Sequence, residues 1–457
     1  MRRRNYVARF HIAMLTLAGL LMAGTASAAV DGLSGSSFTL TARADRISTP
    51  EGNSIYIWGF DAGGGRAQYP GPTLILEQGV PVTITVVNAL PASAGQRVSL
   101  ALPGQSGVTA SCAAQPCVQG PITMEAGVNG QVTYTFTPSR PGTFLYNSAS
   151  RPDLQVEMGL TGAIVVRPSG FSAAAPNAYG SAASGYDQEY LFFLSEMDSD
   201  FHDIVELQGV AAADQSRRLA NYFPNYWFIN GRNAPDTMAD AGIPRLPTQP
   251  YNSLPRTHPG DRLLMRVVGG GHDMHPFHHH GNHARIIAVD AVPLETAGAT
   301  TPFDLSREVF TIQSLPGQTV DAIFRWTGKD IGWDVYGDAA LHAATFAGIT
   351  PPSCDASVVL DAEGLDPRTR EYCADHGKGL PVTLPEQFSL TFGGFWSGSP
   401  FLGSLELLPP GQGGLNPNAG YTYMWHSHTE KEITNYDLFP GGLMTMLVIE
   451  PLQVPIP

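Results

Sequence analysis

The sequence predicts an all-β protein, two β-sandwiches or barrels joined by a linker, on three observations. Runs of alternating apolar and polar residues, the period of a half-buried strand, recur along the chain. Turn formers punctuate them, with 50 Gly and 37 Pro among 457 residues. No long stretch carries a convincing helical period. The length allows two or three domains of ordinary size. A composition 43% hydrophobic and 14% charged supplies core residues and excludes wholesale disorder. The formal net charge of −14 argues against nucleic acid as a partner, because a phosphate backbone demands a basic footprint.

Residues 1–28 read as an export signal. Arg2, Arg3 and Arg4 form a basic start, "AMLTLAGLLMAG" an apolar core, and Ala26-Ser27-Ala28 a small-residue cleavage site. The apolar run is too short for an ordinary membrane span. "RRNYV" resembles a twin-arginine signal, and a plain secretory signal fits as well. Removing this segment takes away four arginines and no acid, so the net charge moves from −14 to −18. The expected product is periplasmic or extracellular, with no transmembrane segment. Cys112 with Cys117 and Cys354 with Cys373 form two local pairs. An even count in an exported chain favours disulfides, and local pairing is the simplest of three connectivities.

The elements follow in order. In "PVTITVVN", Val82, Ile84 and Val86 alternate with threonines, and "QVTYTFTP" does the same. "TGAIVVRP" closes a first domain over residues 30–168. "SGFSAAAPNAYGSAASG" reads as a linker at 169–184. A second domain, 185–457, opens with "EYLFFLSEMD" and continues through "NYWFING", "DRLLMRVV" and "RIIAVDAV". After "QTVDAIFRW" an irregular insertion at about 335–415 carries the second cysteine pair. "YMWHSH" and "LMTMLVIEP" supply the last strands.

Eight of thirteen histidines lie in two short segments. "HDMHPFHHHGNH" holds His272, His275, His278, His279, His280 and His283; "YMWHSH" holds His426 and His428. Residues two apart on a strand face one way. His278 with His280, and His426 with His428, would therefore present four imidazoles, while His279 and Ser427 face the other side. A lone histidine is ordinarily a satisfied core or surface residue, but clustered imidazoles are ligands for copper, zinc or iron. Their binding is expected to weaken as pH falls through about 6, because imidazole must be neutral to donate its lone pair. No G-x-S-x-G, Walker loop or H-E-x-x-H is present, so no catalytic residue is assigned. Glu430 and Glu432 read as rim residues.

These segments resemble a known family. "HPFHHHG" is similar to the H-P-x-H-x-H-G segment of multicopper oxidases, and "WHSH…FPGGLM" to their terminal H-C-H…G-M segment. "YPGPTLILEQGVPVTITVVNAL" and "PGTFLYNSASRPDLQVEMGLTGAIVV" resemble the two ends of the family's first domain; "NYWFINGRNAP" resembles the opening of its last. The resemblance implies tandem cupredoxin-like Greek-key barrels and a cluster of three coppers held by eight histidines. At the four first-domain ligand positions this chain carries Ala101, Pro103, Asn147 and Ala149. That leaves His278, His280, His426 and His428. Ser427 stands where the family's blue copper takes a cysteine thiolate. A neutral hydroxyl is a poor substitute for that soft ligand. Of the blue-copper set, His275 remains as a candidate ligand, Glu432 stands at the spacing of the second histidine, and Met444 is the candidate axial residue. The expectation is an exported multicopper-oxidase-like protein that binds one metal ion, copper first and zinc as the alternative, and is not a competent laccase. Two alternatives stand beside it: a copper-free structural or interaction protein with an envelope protein partner, and a copper-dependent oxidoreductase with an altered site.

Overall fold

The computed structural model describes residues 30–329, 331–334, 346–378, 398–401, 420–450, 452 and 454–456. The expected signal at 1–28 lies outside them, as does much of the expected insertion at 335–415.

A five-stranded sheet opens the fold, in the order Ser54–Asp61, Ser37–Ser48, Val82–Asn88, Gln131–Phe136 and Thr109–Ala114. It packs on a four-stranded sheet ordered Leu33–Ser34, Gly71–Glu77, Thr161–Arg167 and Gly142–Asn147. The alternation seen in the sequence sets the faces. Val82, Ile84 and Val86 are buried against Trp58, Tyr134 and Ile164, while Thr85 pairs with Thr133 across the strands at 3.0 Å. Both sheets mix parallel and antiparallel pairs, since Val82–Asn88 runs parallel to Ser37–Ser48 and Thr161–Arg167 parallel to Gly71–Glu77.

The second sandwich joins a seven-stranded to a six-stranded sheet. Gln188–Met197, Arg262–Gly269, Thr319–Arg325 and Ala284–Val289 are consecutive neighbours in the first. In the second, the order Met444–Ile449, Gly420–Ser427, His275–His279, Thr311–Ser314 puts the two histidine-bearing strands side by side. Phe192, Met265, Phe277, Trp425 and Leu447 fill the space between them. Cys112–Cys117 and Cys354–Cys373 are bonded.

Two features depart from the expected pattern. Residues 169–184 lie on the second sandwich: Ala178 packs with Leu264, Ile287 and Phe303, and the Tyr179 hydroxyl donates to Asp321. Short helices also occur at Ser199–Gln208 and Val210–Ser216. Their apolar marks are sparse, but Asp198 caps the first through a bond from Phe201 N at 3.2 Å. Phe201, Val205, Val210 and Ala213 then bury into the core of the first sandwich. No described helix is long and apolar enough to cross a membrane.

Candidate metal centre

Strand register makes the histidine cluster. His275–His279 pairs antiparallel with Gly420–Ser427, setting Phe277 opposite Ser427, His278 opposite His426 and His279 opposite Trp425. Phe277 anchors the pairing in the core, its ring 5.2 Å from Phe192 and 6.2 Å from Trp425. Just past the strand, Gly281 has φ +103°, and a Cβ there would sit 2.9 Å from the Tyr423 ring. Only glycine fits that turn. Beside it, the His280 carbonyl accepts from Trp425 Nε1 at 3.0 Å.

On one face, His278, His280 and His426 bring one ligand atom each within 4.8 Å of the others. The Nε2 atoms of His280 and His426 are 3.3 Å apart. His426 Nδ1 donates to the Ser427 carbonyl at 2.6 Å, leaving its Nε2 as the lone-pair atom. His278 Nδ1 bonds the Thr311 hydroxyl at 3.0 Å. Burial, reinforced by the neighbouring imidazoles, pushes the His278 pKa down to about 3. Burial also lowers that of His426. Both shifts favour the neutral ring, the form that carries a lone pair for a metal. His428 stands beside the triad, 45% exposed, its ring 4.9 Å from His278 and its Nδ1 3.9 Å from Glu430.

The other face carries His279, Ser427 and His275, as alternation requires. His279 is buried against Trp425 and Phe324 and bonds the Val309 carbonyl at 2.9 Å. His275 does not join the triad. Its Nε2 donates to Glu196 at 2.7 Å and its Nδ1 to Glu432 at 2.9 Å, all three side chains being buried. Both of its ring nitrogens face carboxylate oxygens, and it is not among the converging ligand atoms of the triad. Glu432 is likewise no rim residue: its carboxylate also accepts from the Ser427 hydroxyl at 2.6 Å. Glu430 is exposed. Met444 pairs with His426, so it belongs to the triad's face and cannot serve as an axial ligand beside Ser427.

A copper cluster needing first-domain imidazoles does not fit. No histidine lies between residues 12 and 201, and Ala101 meets Asn147 in a plain backbone bridge. A blue copper does not fit either, because Ser427 and His275 are committed to carboxylates. The triad does fit one nitrogen-loving ion. A second group, Cys354, Glu371 and His376, also converges, but its sulfur is spent in the disulfide to Cys373. Sequence reasoning missed Glu196; the signal was an acid inside the apolar strand "EYLFFLSEMD".

Residues 64–170 match the family described as multicopper oxidase. Among solved structures, the fold is similar to the blue copper oxidase from Nitrosomonas europaea, at TM-score 0.52 and 16% identity over 91% of this chain and 86% of that one. It is also similar to the multicopper oxidase mgLAC, at TM-score 0.51 and 15% identity over 93% of this chain and 88% of that one. No curated protein matches the chain. Identities this low speak for the tandem cupredoxin-like fold alone.

Proposed function

With a multicopper oxidase domain matched over residues 64–170 as the premise, we propose that the chain is an exported multicopper-oxidase-like protein holding one copper ion through His278, His280 and His426. His428 stands ready as a fourth, solvent-side ligand. The observation that carries this reading is the convergence of three ligand atoms within 4.8 Å, on a face where His278 and His426 are held neutral. Copper bound there would supply a Lewis-acid or one-electron centre. The chain's own part is to orient Nε2 of His426 through the Ser427 carbonyl and to hold His278 against Thr311. Laccase activity is not proposed, since residues 30–168 contain no histidine and Ser427 stands between His426 and His428 where the family carries a cysteine.

Metal analysis of the purified protein tests this. The expected result is about one copper per chain, without the intense visible absorption of a thiolate–copper bond. His278→Ala with His426→Ala should abolish tight binding. Stoichiometric copper in that double variant would move the site elsewhere, and zinc in place of copper would change the identity of the ion. A copper-free interaction protein is the second reading. It is favoured by exposed Phe223, Tyr436, Leu438 and Phe439 on two loops that meet where Tyr436 N donates to the Asn225 carbonyl at 2.9 Å. Wild-type protein that takes up no metal would favour that reading.

A further inference from the structure

The pocket around His275 is built to excess for a structural histidine. Glu196 reaches it from the strand Gln188–Met197, and Glu432 from the turn Glu430–Ile433. Glu196 also accepts from the backbone N of His272 and from that of Asp273 at 3.0 Å, with the Tyr222 hydroxyl 3.3 Å away. Tyr222 in turn donates to Glu157 at 2.7 Å, a carboxylate that also takes the Asp198 N–H at 2.7 Å. On the far side, the Ser427 hydroxyl donates to Glu432 while accepting from Thr429 N at 3.1 Å. Gly271 leaves the room: a Cβ there would fall 2.0 Å from Glu196 Oε2.

We infer that this pocket holds a proton and excludes a metal: His275 is an imidazolium clamped between Glu196 and Glu432, and Ser427 is present as the donor that completes Glu432. Two acceptors on opposite ring nitrogens require two N–H donors, which only the cationic ring has. One cation against two carboxylates leaves a single net negative charge, which hydroxyl and backbone donors stabilise. The titratable groups facing the ring or its carboxylates are Glu196, Glu432, Asp273, His272 and Tyr222, with Glu157 beyond Tyr222. Burial alone would strip the ring of its charge. Hydrogen bonds and attraction from the two glutamates outweigh that and raise its pKa to about 10. A transition metal would have to displace this proton and find a lone pair on a ring that presents none. A cysteine at position 427 would lack that copper partner for the same reason. The clamp lies on the opposite face of the strand from the triad, so failure of metal binding there would leave it standing.

The test is side-chain NMR on the ¹⁵N-labelled full-length protein. The His275 ring is assigned by its disappearance in His275→Gln or, should that variant fail to fold, by its movement in the isosteric Glu432→Gln. At pH 8 both ring nitrogens should carry slowly exchanging protons, and one equivalent of zinc(II) should leave them in place. Glu432→Gln should lower the pH at which the ring loses its second proton by roughly 1–3 units, the shift a contacting opposite charge produces. A residue that merely filled space would not move that titration. Ser427→Cys treated with copper(II) should show no intense thiolate–copper band. A singly protonated ring at pH 8, loss of its protons on adding zinc, or an intense band in Ser427→Cys would each overturn the inference.

Discussion

His275 illustrates how far one side chain's chemistry depends on what its backbone partners deliver. The strand sets only its face; Glu196 and Glu432, 79 and 157 residues away in sequence, set its charge. Removing it as His275→Ala leaves two carboxylates buried with their partner gone, and should cost about 3–5 kcal/mol. That cost depends on pH in a defined direction. The folded pKa of about 10 lies above the ordinary 6.5, so the folded state binds the extra proton. The stabilisation is fully present below pH 6.5 and is lost as pH rises toward 10. Urea unfolding of wild type and His275→Ala between pH 6 and 10 should show the two curves converging at the alkaline end. A gap that stays constant with pH would assign His275 a packing role only. None of this was legible in the sequence, where "HDMHPFHHHGNH" shows six histidines of one kind. What separates them is long-range, and a strand period carries no information about distant acids.

At the scale of the element, alternation was legible and reliable. It assigns His278, His280, His426 and His428 to one face and His279 and Ser427 to the other, because a pleated backbone has two faces and no third option. The helices Ser199–Gln208 and Val210–Ser216 carry no clear helical period in the sequence, because each buries few apolar residues and the partner lies in the other sandwich. Two substitutions probe the histidine strand. His279→Ala should leave copper stoichiometry unchanged while lowering stability by about 1–3 kcal/mol, since the ring is fully buried core. Gly281→Ala should cost a similar amount, about 1–3 kcal/mol, from its left-handed backbone and the Tyr423 ring. By displacing the neighbouring His280 it should also weaken metal retention. Equilibrium unfolding and metal content, measured on both variants, separate the two effects.

Across the whole molecule, the two sandwiches are fastened by charge as well as by apolar contact. Glu189 holds Arg167 through two bonds of 2.6 Å and Arg266 through another of 2.6 Å, and Arg266 reaches Thr143 of the first sandwich at 2.8 Å. Burial favours the neutral acid, yet Arg266 and Arg167 prevail and hold the Glu189 pKa down to about 2. Its contribution is therefore present above pH 4.5 and is lost as pH falls toward 2. Calorimetry should show both halves melting in a single transition at pH 7 and Glu189→Ala costing about 3–5 kcal/mol there. Two separate transitions in the wild type would contradict this fastening. The sequence showed two strand-rich halves with "SGFSAAAPNAYGSAASG" between them. It could not show that this small-residue stretch lies down on its neighbour, since Ala, Ser and Gly suit a packed strap as well as a free tether.

The helical segment that plugs the first sandwich bears on how the chain is made. Phe201, Val205, Val210 and Ala213 belong to the same apolar cluster as Trp58 and Ile84, yet they are synthesised after every strand of that sandwich. A nascent chain that has delivered residues up to 168 has every described strand of that sandwich, but not the four apolar side chains that the helices add to its core. Those four side chains follow only when residue 213 has emerged, and Ala291 of the same cluster comes later still. Until then the emerging half is a natural client for a chaperone, and a fragment ending at the strap would be expected to aggregate when expressed by itself.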